Sequence, residues 1–67
     1  MITNGISLNP QKIILLIAKQ GFTINEFCNQ ANIFSGTYRR MMKGEQLKPK
    51  TVSKVAKALN VDIEELL

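Results

Sequence analysis

Seven basic side chains fall between residues 39 and 57: Arg39, Arg40, Lys43, Lys48, Lys50, Lys54 and Lys57, with Glu45 the one acid among them. The chemistry open to such a block is the binding of polyanions, through guanidinium forks and ammonium point charges. Charge density alone favours the plainer reading, a solvated helical face that keeps a small protein soluble, and the helix pattern below reverses that preference. Catalytic and metal chemistries find little support. There is no histidine, one cysteine (Cys28) and no nucleophile–base pair, so neither a general-base site nor a zinc set is legible. The expectation is no enzyme, no metal and no cofactor.

The chain that must position these cations has 67 residues, close to the smallest length at which one hydrophobic core suffices, so it holds one domain at most. Its apolar fraction of 45% argues for folding. No apolar run approaches a membrane span, and the N-terminus lacks the charged region of a signal peptide. The net charge of +4 is uneven: residues 58–67 carry Asp62, Glu64 and Glu65 with no base. Together these features point to a small, basic, cytoplasmic binding module.

Helix signals then order the chain. Residues 1–8 read as an uncharged arm with a turn at Asn4-Gly5, its Ile2, Ile6 and Leu8 packing on the domain that follows. Asn9-Pro10 is a helix start, and Gly21 suits the left-handed position after Gln20. Ile13, Leu16 and Ile17 form the inward stripe, while Ile14 and Leu15 make this helix apolar on more than one face. Thr23 and Glu26 form a capping box flanked by a Phe22–Phe27 staple, with Phe27, Cys28 and Ala31 inward and Asn32 at the following turn. A third helix is predicted from Phe34 or Ser35 to Lys43, ending at Gly44. Tyr38, Met41 and Met42 face inward; Ser35, Gly36, Arg39, Arg40 and Lys43 form the opposite stripe. Glu45–Lys48 reads as a loop. Pro49 opens a fourth helix with Val52, Val55, Ala56 and Leu59 inward and Lys50, Lys54 and Lys57 wet. Asn60 ends it, and an Asp62–Glu65 capping box starts a fifth with Ile63, Leu66 and Leu67. The pattern predicts an all-α chain of five helices, with no confident strand.

Two short helices joined by a tight turn, the second basic outside, form the helix-turn-helix arrangement. The segment Gly21–Gly44 resembles the phage repressor and Cro-like family, also called the xenobiotic response element family. The resemblance continues through Lys54–Val61 and Glu64–Leu67 and covers about residues 10–67. It implies a compact five-helix bundle of the lambda-repressor-like DNA-binding type over residues 9–67, with the motif at 23–43. It also implies a transcriptional regulator of prokaryotic or phage type, in the first instance a repressor, that binds double-stranded operator DNA as a homodimer.

By position, the resemblance gives Ser35, Gly36, Arg39 and Arg40 to base edges, Arg40 foremost. Arginine is the commonest bidentate reader of guanine, and the major groove admits one helix. Thr23, Asn25, Thr37, Lys43, Lys48 and Lys50 fall to phosphates. One recognition helix reads few base pairs, so two half-sites and a dimer follow, with Ile63, Leu66 and Leu67 as its surface.

The chain departs from the family in places. Ile24 replaces a phosphate-holding glutamine. Phe34 stands where Ser or Thr caps the recognition helix, leaving Ser35 to cap it one residue later. Gly36 has no side chain to read with, which either lets the helix backbone approach DNA closely or loses specificity at that position. Ile17 and Met42 replace an Arg–Glu pair found in several members, exchanging an ion pair for apolar contact. Cys28 reads as inert core, Tyr38 as half-buried with its hydroxyl wet, and Lys54 and Lys57 as solubilising. Ile14 and Leu15 are either covered by the arm or form a protein-binding face. The alternative function is accordingly an interaction adaptor on a helix-turn-helix scaffold that does not read DNA; a third reading is the DNA-binding module of a longer regulator.

Overall fold

A computed structural model describes residues 5–67. The expected packing of Ile2, and Asn4 of the expected turn, lie outside that range. Four α-helices form: α1 (Pro10–Gln20), α2 (Ile24–Ala31), α3 (Ser35–Met42) and α4 (Pro49–Leu59). Their boundaries follow from local chemistry. Asn9 Oδ1 accepts the Gln11 and Lys12 amides at 3.0 and 3.4 Å, and Pro10 takes the first helical position, where no amide is needed. Gly21 closes α1 in the left-handed region, and Asn32 and Asn60 do the same for α2 and α4 at φ of 56° and 58°.

The expectation of five helices is corrected. Residues Ile63–Leu66 form a single 3-10 turn, with i→i−3 bonds from the Glu65 amide to the Asp62 carbonyl and from the Leu67 amide to the Glu64 carbonyl. The Asp62–Glu65 capping box is present, but four residues are too few to develop the i→i−4 ladder. The Leu66 carbonyl instead accepts the Asn9 amide at 2.7 Å, fastening this turn to the start of α1.

The expectation of no strand is corrected as well. Residues Ile6–Ser7 (β1) pair antiparallel with Gln46–Leu47 (β2), Ile6 opposite Leu47 and Ser7 opposite Gln46. The loop expected at Glu45–Lys48 therefore contains a strand, and the residues read as an arm are sewn to it from Ile6 onward. Gly5 is required there: a Cβ on it would collide with the Cβ of Gln46.

One core gathers Leu8, Ile13, Ile17, Phe27, Cys28, Ala31, Met41, Leu47, Val52, Val55, Ala56, Leu59 and Leu66. Every inward stripe expected from periodicity contributes to it, with Leu16, Tyr38 and Met42 half-buried at its margin. Helix α2 packs mainly on α4 and α3, α3 also meets β2, and the 3-10 turn rests on α1 and α4. Each fully buried Phe, Ile, Leu, Met or Val contributes about 1.5–3 kcal/mol relative to exposure. Ile17 and Met42 both lie against this core, as the apolar replacement of an ion pair requires. Among the described residues no helix is long and apolar enough to cross a membrane.

Candidate nucleic-acid interface

The first part of the surface is the N-terminus of α2. The Glu26 amide donates to Thr23 Oγ1 at 3.1 Å, and the Thr23 amide donates to Glu26 Oε1 at 2.8 Å. The box fixes where α2 begins, while the Thr23 hydroxyl accepts one bond and keeps its own proton for another acceptor. Thr23, Ile24 and Asn25 are all exposed. The Ile24 and Asn25 amides precede the first helical bond, which runs from the Phe27 amide to the Thr23 carbonyl.

The second part is α3. Buried Met41 and half-buried Tyr38 anchor its inner face, Tyr38 meeting Phe27 edge-on at a centroid distance of 6.2 Å. That contact sets the rotation of the helix and leaves Ser35, Gly36, Arg39, Arg40 and Lys43 exposed together. Its N-terminus differs from expectation. Ser35 does not cap α3; Phe34 holds that position with extended backbone (φ −82°, ψ 156°), and no side chain satisfies the first turn. The Ser35, Gly36 and Thr37 amides stand ahead of the first helical bond, from the Tyr38 amide to the Phe34 carbonyl. They carry the positive end of the helix dipole.

The third part lies where α3, β2 and α4 meet. Gly44 reverses the chain after α3 at φ 75°, a conformation other residues resist, and brings Glu45 back beneath Arg40. Arg40 Nε donates to Glu45 Oε1 at 3.2 Å, yet the arginine side chain remains 62% exposed. An Nε contact leaves the two terminal nitrogens of the guanidinium free, the edge that makes bidentate bonds to guanine or phosphate. Beside this pair is a cleft of about 250 Å³ lined by Thr37, Arg40, Gln46, Leu47, Lys48 and Thr51. Sequence reasoning named Thr37, Arg40 and Lys48 there and missed Gln46 and Thr51. Their signals were slight: one outward residue of a two-residue strand, and the third residue of α4.

Lys43 and Lys50 are exposed outside the cleft lining, Lys43 at the end of α3 and Lys50 at the start of α4. Lys54 is half-exposed and Lys57 exposed, further along α4.

Other expected sites fare differently. Leu66 is fully buried in this chain's own core, which removes it from the expected dimer surface; Ile63 is half-buried and Leu67 is 52% exposed. Ile14 and Leu15 are not covered by the described part of the arm, which pairs with β2 instead. They are 50% and 62% exposed. Cys28 is buried, and desolvation pushes its thiol up and away from the reactive thiolate. Burial, and secondarily Cys28, likewise raises the Tyr38 phenol.

A family model for the Cro/C1-type helix-turn-helix DNA-binding domain matches residues 12–67. No curated protein sequence matches the chain. Among solved structures, a variant of hydroxyethylphosphonate dioxygenase is similar in fold, with a TM-score of 0.79 at 19% identity. The similarity covers 92% of this chain and 14% of that enzyme's chain, so the shared part is a small portion of a longer protein.

Proposed function

The chain belongs to the Cro/C1-type helix-turn-helix DNA-binding domain family, and from that premise we propose that it is a sequence-specific transcriptional regulator which seats α3 in the major groove of operator DNA. One observation carries this reading. The stripe Ser35, Gly36, Arg39, Arg40 and Lys43 stands uncovered, on a helix whose opposite face is locked into the core. In this role Arg40 reads a guanine with its terminal nitrogens while Glu45 holds Nε, and Arg39 beside it takes a second base edge or a phosphate. Ser35 and the Gly36 backbone approach base edges. Thr23, Asn25 and Thr37 hold phosphates by hydroxyl, amide or side-chain donors; Lys43, Lys48 and Lys50 hold them by charge.

The action is steric: a repressor of prokaryotic or phage type, working in the cytoplasm, that occupies its operator and excludes polymerase. Two copies sit on half-sites about 34 Å apart. Ile63 and Leu67, without buried Leu66, remain for contact between them.

An NMR titration with duplex DNA tests the reading. Amide shifts are expected at residues 23–25 and 34–48 and should fade with salt. Arg40→Ala should lose about 1–3 kcal/mol on the cognate site and relax specificity at one position, while Lys48→Ala should weaken all sequences alike. The exposed pair Ile14 and Leu15 favours a second reading, an adaptor that binds a protein through α1. Shifts confined to α1, with a protein partner and none with DNA, would establish that reading instead.

A further inference from the structure

Phe34 is 86% exposed, more than any other large apolar side chain among the described residues. It is doubly unfavourable where it stands. Its ring gains no burial from the core, and its position at the head of α3 leaves the first-turn amides without the side-chain acceptor that Ser, Thr, Asp or Asn would supply. Nothing among the described residues repays either cost, and the ring stands free to meet a partner.

The surroundings narrow what that counterpart is. Arg39 and Arg40 stand on α3 and Lys43 just past its end, all exposed, and the free amides of Ser35 and Gly36 follow the ring directly. An apolar protein segment would have to be seated among these cations and unsatisfied donors. A polyanion meets them all favourably, and the floor of the DNA major groove offers one apolar feature among its donors and acceptors, the C5-methyl group of a pyrimidine. Resting on the reading of α3 as the helix in the groove, we infer that Phe34 is a specificity-determining residue whose ring packs on the C5-methyl of a pyrimidine, thymine in unmodified DNA. The missing polar cap is then the local consequence of placing an apolar reader at the tip of the helix.

The test uses the whole chain and a random duplex pool, from which the preferred site is enriched at low salt. In the enriched duplex each thymine is replaced in turn by deoxyuridine, which removes only the methyl. One position in each half-site should weaken binding about fourfold, the worth of one buried methyl-sized group. Phe34→Ala should bind the thymine duplex more weakly by a similar factor and be indifferent to the replacement; Phe34→Leu should retain part of the discrimination. At the same position, a matching gain of 5-methylcytosine over cytosine assigns the methyl whichever base bears it, and a gain restricted to thymine assigns that base. Because Phe34 is exposed, its variants should melt as the parent does.

The inference is overturned if Phe34→Ala keeps the parent's discrimination at every position, or weakens all duplexes alike as a wedge or scaffold residue would. In either case the DNA reading stands. Failure to enrich or bind any duplex overturns both.

Discussion

Nothing in the described fold calls for glycine at position 36. A Cβ added there meets nothing within 4 Å, so neither packing nor a turn demands glycine. Its presence in the first turn of α3 costs roughly 0.5–1 kcal/mol relative to alanine. Gly36→Ala should therefore stabilise the free protein by about that amount, raising its melting temperature by roughly 4–8 °C per kcal/mol. Affinity for the preferred duplex should fall, because the methyl occupies space the DNA requires. A melting curve and a binding isotherm on one preparation decide the matter: a variant more stable and equally tight would mean that the missing side chain only relaxes specificity. Residue chemistry was legible in the sequence wherever a side chain acts on its near neighbours, as Asn9, Thr23 and Glu26 do. The Arg40–Glu45 contact was not, because it depends on the reversal at Gly44. Phe34 was legible as a poor cap and not as an exposed ring, since exposure is decided by the whole packing.

Among the elements, the four α-helices followed from periodicity and caps, signals that each reside within a few residues. The two strands left no such trace. Two residues cannot show alternation, and their pairing joins Ile6 to Leu47 and Ser7 to Gln46, far apart in the sequence. The short sheet nevertheless shapes the site, because Gln46 and Leu47 form one wall of the cleft holding Arg40 and Lys48. Gly5 packs directly on Gln46, so Gly5→Ala should disturb a wall to which it contributes no side chain. Relieving the collision requires β1 to shift, a strain of about 1–3 kcal/mol typical of overpacking. Urea unfolding should show the lost stability. Amide shifts of the folded variant should spread from residues 5–7 to Gln46, Leu47 and Arg40, while α1 stays unmoved. Perturbation confined to residues 5–7 would mean that the sheet does not support the cleft.

Across the whole molecule the C-terminal acids and the two arginines lie on different elements. The acids Asp62, Glu64 and Glu65 ride on or beside the 3-10 turn, which packs against α1 and α4; the arginines ride on α3, which packs against α2 and β2. This arrangement keeps three of the five acids off the helix that carries both arginines, which favours the approach of a polyanion to that helix. It also makes a quantitative demand. With one arginine spent on a base, about four cations per copy neutralise phosphates, so the slope of log K against log salt should be about −4 on a single half-site. If two copies engage a paired site as a unit, the same cations count twice and the slope should approach about −7. Fluorescence anisotropy from 50 to 200 mM salt, on duplexes with one and with two half-sites, reads both numbers. A slope near −4 on both would mean that copies bind independently, leaving Ile63 and Leu67 without a dimer role. A slope near zero on either would remove phosphate from the interface altogether and leave the cations between residues 39 and 57 a solubilising role alone.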